Sequence, residues 1–256
     1  MLEERIDDTM FIRLIRKWLK AGILDAGNVS HPEKGTPQGG LVSPVLSNIY
    51  LHYALDLWFE KVIKPKCEGQ AYICRYADDF VCAFQYKREA EMFFGKLDKR
   101  LRKFSLELSK EKTRIISFSR FRKEENTSFD FLGFEFRWGI SRKGNDIVRR
   151  KTSHKKFKQS ISNFTDWIKR HRNRRINWIF KMLNMKLRGY YNYYGVCGNM
   201  KSMLKFFNSA MRLLFKWLNR RSQRRSFNYH GFREVCNYFR VLRPRIVEQP
   251  ISAFIV

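Results

Sequence analysis

The charged residues of this sequence are so unevenly placed that its two parts fold under different electrostatic conditions. Residues 1–140 carry 24 Lys and Arg against 20 Asp and Glu, a net of +4, while residues 141–256 carry 28 against 4, a net of +24. A surplus of that density repels itself in a compact fold unless a polyanion supplies the counter-charge. The basic residues of the second part alternate with aromatics. That pattern favours nucleic acid, because bases stack on rings while Lys and Arg meet phosphates. The break predicts two domains, 1–140 and 141–256, with Arg170, Arg172, Arg174 and Arg175 as a cluster facing nucleic acid in the second.

Both parts hold enough apolar material to fold. Hydrophobic residues make up 44% of the chain and aromatics 16%, which excludes a disordered polyelectrolyte. The longest apolar runs are too short to cross a bilayer, and the N-terminus lacks the basic-then-apolar layout of a signal peptide. Cys67, Cys74, Cys82, Cys197 and Cys236 are odd in number and form no CxxC pair. This argues against a disulfide framework or zinc knuckle and for a reducing compartment, so a cytoplasmic protein without a membrane partner is expected.

Periodicity supplies the coarse architecture. Asp and Thr caps followed by Phe11, Ile12, Ile15, Trp18 and Leu19, with Gly22 as a stop, predict an amphipathic helix over 7–22. The glycine-rich stretch "GTPQGGLVSP" (35–44) reads as a loop, after which Ser43 as N-cap and Pro44 at the first position start a second helix. Its stripe runs Leu46, Ile49, Tyr50, Tyr53 and Leu57. "AYICRY" and "FVCAFQY" read as two strands of a hairpin joined at Asp78-Asp79. A helix over 88–104 follows, and "TRIISFS" and "FDFLGFEFRW" return to strand character. The second part reads as helices only, marked by apolar series from Phe157, from Ile176 and from Met200. The expected class is α+β, an antiparallel sheet with helices on one face, followed by an all-α domain.

Two stretches carry chemistry. Asp78 and Asp79 are adjacent carboxylates at a hairpin tip, and left bare they repel each other. A divalent cation removes that penalty, and hard carboxylate oxygens suit Mg²⁺ in a two-metal phosphoryl-transfer site. An Asp pair also suits an ordinary turn, but here the flanking apolar strands leave it as the only polar tip. In the glycine-rich stretch, Gly35, Gly39 and Gly40 let the backbone approach a ligand, and the following helix start offers free N–H groups to a phosphate.

In order, "QGGLVSP" (38–44), "YADD" (76–79), "LSKEKT" (108–113) and "FLGF" (131–134) resemble successive palm motifs of reverse transcriptases, most of all the group II intron-encoded reverse transcriptase/maturases. "RGYYNYYG" (188–195) resembles the thumb/maturase region of that group. The resemblance implies a partial polymerase palm followed by a helical thumb. It implies RNA-directed DNA polymerisation by two-metal nucleotidyl transfer with Mg²⁺, together with intron RNA binding and splicing assistance.

It also implies roles residue by residue. Asp78 is a principal metal ligand and Asp79 a second carboxylate. Tyr76 and Ala77 sit under the incoming deoxynucleotide and primer end. Gln38, Gly39, Gly40, Ser43 and Pro44 shape the pocket around nucleotide and template. Lys112 approaches the triphosphate and protonates the pyrophosphate leaving group. Phe131, Leu132, Gly133 and Phe134 grip the DNA primer, and Arg188, Tyr190 and Tyr191 join the four arginines on RNA. In the family a further catalytic Asp lies on an earlier palm strand, upstream of where this chain begins. An incomplete metal site in an N-terminally truncated chain is therefore expected, with a separate N-terminal half as a partner. The alternative is a non-catalytic RNA-binding maturase fragment.

Overall fold

The computed structural model describes residues 1–20, 23–25, 28–30, 42–121, 127–141, 143–223 and 226–248. Met1–Ser117 and Phe118–Val256 each form a compact unit. The first unit is mixed helix and strand. Helix α1 (Thr9–Lys20) is capped by Asp8, whose carboxylate accepts from the Phe11 N–H at 2.9 Å. Of its expected apolar stripe, Ile12 and Ile15 are buried, while Phe11 and Trp18 keep about two-fifths of their surface. Short strands β1 (Ile23–Asp25) and β2 (Asn28–Ser30) pair antiparallel.

Helix α2 (Ser43–Leu51) has Val42 as its N-cap and Pro44 in its first turn, so Ser43 is the first helical residue rather than the cap. The helix runs on through π turns at His52–Asp56 and Phe59–Ile63 into a 3₁₀ turn at Lys64–Lys66, where Pro65 ends it. The widened turns leave carbonyls facing sideways, and Arg100 donates to those of Ala54 at 2.9 Å and Tyr53 at 3.2 Å. The buried residues of this segment are Ala54, Leu55, Phe59 and Ile63, beyond the stripe expected from the sequence.

Strands β3 (Ala71–Tyr76) and β4 (Asp79–Phe84) form an antiparallel pair. Ala71, Ile73, Phe80, Cys82 and Phe84 face the helices, where Phe59, Phe84 and Phe93 bring their rings within 5.4–5.9 Å of one another. Helix α3 (Lys87–Arg102) closes this core with Phe93, Leu97 and Leu101, while Phe94 lies on the exposed side. The buried Glu89 accepts from the N–H groups of Glu68 at 2.7 Å and Gly69 at 3.0 Å, fixing the approach to β3. All five cysteines are free, and burial pushes the Cys82 thiol up to about 12 and that of Cys236 to about 11.

The expected strand at "TRIISFS" joins no ladder. Its Phe118 packs instead on Phe129 and Trp138, at 5.1 and 5.4 Å. The second unit contains a three-stranded antiparallel sheet, β5 (Ser128–Phe131), β6 (Phe134–Ile140) and β7 (Asp146–Thr152). Strand β7 corrects the expectation of helices alone beyond residue 140. Its sequence, "DIVRRKT", lacks apolar alternation, and its ladder to β6 supplies the order that periodicity did not signal. The charge break at 140/141 falls in the turn between β6 and β7, whereas the compact units divide at 117/118.

Four helices follow: α4 (His154–His171), α5 (Ile176–Tyr194), α6 (Met200–Leu218) and α7 (Tyr229–Tyr238). The first three match the apolar series in the sequence. Helix α7 was not anticipated; its signal is Asn228, whose side chain caps it by accepting from the Gly231 N–H at 2.7 Å. The core joins Ile168, Phe180, Leu183, Leu187, Met203 and Leu214, all inaccessible to solvent. Asn199, also fully buried, ties the end of β7 to the α5–α6 connection: its amide bonds Thr152 twice, at 2.9 Å each, and donates to the Tyr194 carbonyl at 2.8 Å.

Candidate functional site

The β3–β4 register pairs Tyr76 with Asp79, leaving Ala77 and Asp78 as a two-residue connection. Ala77 takes a φ of +53°, a region that disfavours any residue with a Cβ. Arg75 holds it there. Its Nη1 donates to the Ala77 carbonyl at 2.9 Å and to Asn48 Oδ1 at 2.8 Å, while its Nε and Nη2 grip the Asp56 carboxylate at 2.8 and 2.6 Å. One guanidinium thus fastens the turn to the α2 segment through a bidentate ion pair. Burial works to raise the Asp56 carboxyl, but the Arg75 hydrogen bonds and charge, with His52 adding, hold it below its ordinary value. Asp78, Asp79 and Tyr76 all remain exposed. The inward residue anchors; the turn presents its carboxylates.

Asp56, Arg75 and Asn48 were missed in the sequence. The signal was there: Asn48, His52 and Asp56 recur every fourth position on a helix, and Arg75 interrupts an otherwise apolar inward face of "AYICRY".

Among the other palm candidates, Ser43 and Pro44 open α2, and the Pro44 carbonyl accepts from Ser47 Oγ at 3.1 Å. Gln38, Gly39 and Gly40 lie outside the described residues. Lys112 is exposed on a turn closed by its own N–H and that of Thr113, both donating to the Ser109 carbonyl. Among the described residues, no hydrogen bond or ion pair joins Lys112 to Asp78 or Asp79.

"FLGF" forms the β5–β6 hairpin. Phe131 pairs with Phe134, and Leu132 and Gly133 turn the chain with φ of +48° and +77°. The turn rests on the helices of its own unit. Tyr193 Oη donates to the Leu132 carbonyl at 2.9 Å, and the Ser153 N–H donates to that of Gly133 at 2.9 Å. The Phe134 ring stacks on Tyr193 at 5.9 Å and meets Tyr194 edge-on at 5.4 Å. "YNYYG" therefore serves as the seat of "FLGF".

Arg170, Arg174, Arg175 and Arg188 are exposed, and Arg172 is half-buried against Trp217. Tyr190 and Tyr191 are placed differently from expectation. Tyr191 is 2% exposed and donates to the Leu242 carbonyl at 3.2 Å, and Tyr190 stacks on Phe206 at 3.8 Å. Burial pushes both phenols well above their usual value. These rings belong to the core, and neither is free to stack on a base; Tyr193, 53% exposed, is the accessible ring of the motif.

Comparison with known proteins decides the family. The sequence model of the family described as reverse transcriptase (RNA-dependent DNA polymerase) matches residues 3–136, and that of the group II intron maturase-specific domain matches residues 154–239. The chain belongs to the group II intron reverse transcriptase/maturases. Among curated relatives, it is 46% identical to the group II intron-encoded protein LtrA of Lactococcus lactis over 52 residues, 20% of this chain and 9% of LtrA. It is 48% identical to an uncharacterized 91 kDa protein in the cob intron of Schizosaccharomyces pombe over 62 residues, 24% of this chain and 8% of that protein. It is 31% identical to protein YkfC of Escherichia coli K12 over 162 residues, 52% of this chain and 40% of YkfC. The matches thus span less than half the length of each of these relatives.

Reverse transcriptases generally use Mg²⁺. Asp78 and Asp79 fit that ion in donor type and exposure. Among the described residues no group of three His, Cys, Asp or Glu side chains gathers to hold a metal. The described turn therefore offers two carboxylates and no third. No helix among the described residues is long and apolar enough to cross a membrane.

Proposed function

We propose that the chain works in an RNA-directed DNA polymerase of a group II intron-type retroelement, with Asp78 and Asp79 as Mg²⁺ ligands. The observation that supports this most is the Arg75-pinned turn, which holds both carboxylates outward from a strand pair packed on one face against its helices. Bound Mg²⁺ would activate the primer hydroxyl and neutralise charge on the transferring phosphoryl group. Tyr76 and Ala77 lie under the nucleotide and primer end; Ser43 and Pro44, with Gln38, Gly39 and Gly40, border nucleotide and template. Lys112 supplies a proton to the pyrophosphate leaving group, and Phe131–Phe134 grips the primer. A third carboxylate, supplied by a separate N-terminal half as partner, completes the metal site. Arg170, Arg172, Arg174, Arg175 and Arg188 hold intron or template RNA by its phosphates.

The test is extension of a DNA primer on an RNA template with Mg²⁺, using the 256-residue chain and its Asp78→Asn variant. Extension that dies in the variant supports the reading. Extension that survives it removes Asp78 from the metal site. A second reading, a non-catalytic RNA-binding maturase fragment, is favoured by the net +24 of residues 141–256 and the two-carboxylate turn. It expects salt-sensitive RNA binding without extension.

A further inference from the structure

Among the described residues of the second unit, four cations surround a single ring. Lys169 and Arg172, from the end of α4, and Lys216 and Arg220, from the end of α6, place their charges 5.3–5.9 Å from the Trp217 ring. Cation–π attraction and the stems of the four side chains explain why they can crowd one indole. They do not explain why no anion joins them. Glu248, Glu135 and Glu234 are engaged by Arg150, Lys151 and His230, and among the described residues no carboxylate lies within ion-pair distance of the four. Two helix C-termini offset about half a charge each, well short of four cations.

A second ring adjoins this collar. Trp178 stacks on His171 at 5.1 Å, keeps 37% of its surface exposed, and carries the Arg174 guanidinium 6.0 Å from its centre. The Arg174 carbonyl in turn accepts from Arg221, so the α4–α5 connection and the end of α6 are tied at one corner. Phosphate-binding cations beside an exposed, pre-stacked indole are the two elements that single-stranded nucleic acid requires. A duplex, with its bases stacked inside, uses only the first.

We propose that this corner binds an unpaired nucleotide of RNA, its flanking phosphates on the Trp217 collar and its base on Trp178. The proposal rests on the RNA-binding reading above and narrows it to looped or single-stranded RNA.

The experiment compares binding of the full chain to an RNA hairpin carrying 2-aminopurine in its loop and to a blunt RNA duplex of equal length, across a salt series. The hairpin should bind about tenfold tighter than the duplex, and the 2-aminopurine emission should change on binding. Trp178→Ala should bring the hairpin down to the duplex affinity and leave the duplex unchanged, whereas Trp178→Phe should retain the preference. Lys216→Ala with Arg220→Ala should reduce the salt slope by about 2 on both RNAs. Equal affinity for the two RNAs, or a preference that survives Trp178→Ala, overturns the proposal while RNA binding stands. Absence of salt-sensitive binding to either RNA overturns both together.

Discussion

The Tyr193 hydroxyl donates to the Leu132 carbonyl oxygen at 2.9 Å across 61 residues of sequence. Two motifs that are separate in the sequence, "FLGF" and "YNYYG", are one structural piece in which the end of α5 holds the β5–β6 turn in place. A single phenol supplies both the hydrogen bond and the ring against Phe134.

Tyr193→Phe removes the hydrogen bond and keeps the stack. The expected loss is about 1 kcal/mol, the net worth of an exposed hydrogen bond. Tyr193→Ala, which removes the ring as well, should cost more. Urea unfolding followed by circular dichroism checks the order. A Phe variant as unstable as the Ala variant would mean that the ring contributes nothing.

Gly195 marks a tighter constraint. A Cβ there would lie 2.3 Å from the Tyr191 carbonyl oxygen, 2.9 Å from that of Arg245 and 3.1 Å from the Val247 nitrogen. All three are backbone atoms, fixed by the Gly195 carbonyl accepting from Val247 and Glu248 and by Glu248 gripping Arg150. Gly195→Ala should therefore destabilise the second unit by about 3 kcal/mol or more. A melting temperature within a few degrees of the parent would show that the 243–248 segment does not pack on this turn.

What the sequence disclosed follows the physics of each element. Helices α3 to α6 were legible because an apolar face repeats with the helical period. The β3–β4 hairpin was legible from two β-rich runs flanking an Asp pair, and Asp78 and Asp79 are exposed at its tip. Strand β7 was not, because its ladder is drawn by β6 rather than by any alternation of its own. For Tyr190 and Tyr191 two signals in the sequence disagreed: the motif resemblance implied RNA contact, while their spacing continues the apolar series of Ile179, Phe180, Leu183 and Leu187. Packing on Phe206 and the Leu242 carbonyl follows the periodicity. The Arg75–Asp56 pair, separated by 19 positions, had a periodic signature on one partner only.

That pair also sets a pH dependence. The Asp56 carboxyl lies below its ordinary value of 3.8 in the folded chain, so the pair's contribution is fully present above about pH 4 and is lost as pH falls through the lowered value. Asp56→Asn should lower stability at neutral pH by roughly 2 kcal/mol, since Arg75 loses a charged acceptor. It should also flatten the fall in stability below pH 4. Parallel acid limbs for parent and variant would mean that the pair does not couple to folding. Because Arg75 also holds the Ala77 carbonyl, the variant should weaken any primer extension without touching a metal ligand.

The two halves of the proposed function separate by charge. Asp78→Asn alters only the turn of the first unit, so RNA affinity should stay within about twofold of the parent while extension is lost. Changing Arg170, Arg172, Arg174 and Arg175 together to Ala should act in reverse. Each arginine that meets a phosphate releases a counterion, so the plot of log affinity against log salt should lose about 3 units of slope. Three of the four side chains are exposed and Arg172 lies on one face of Trp217, so the melting temperature should move little. Filter binding of the same RNA at several salt concentrations measures the slope directly. An unchanged slope would move the RNA contact off the α4–α5 connection, and a parallel loss of RNA binding in Asp78→Asn would join two roles that the sequence keeps 92 positions apart at their nearest, from Asp78 to Arg170.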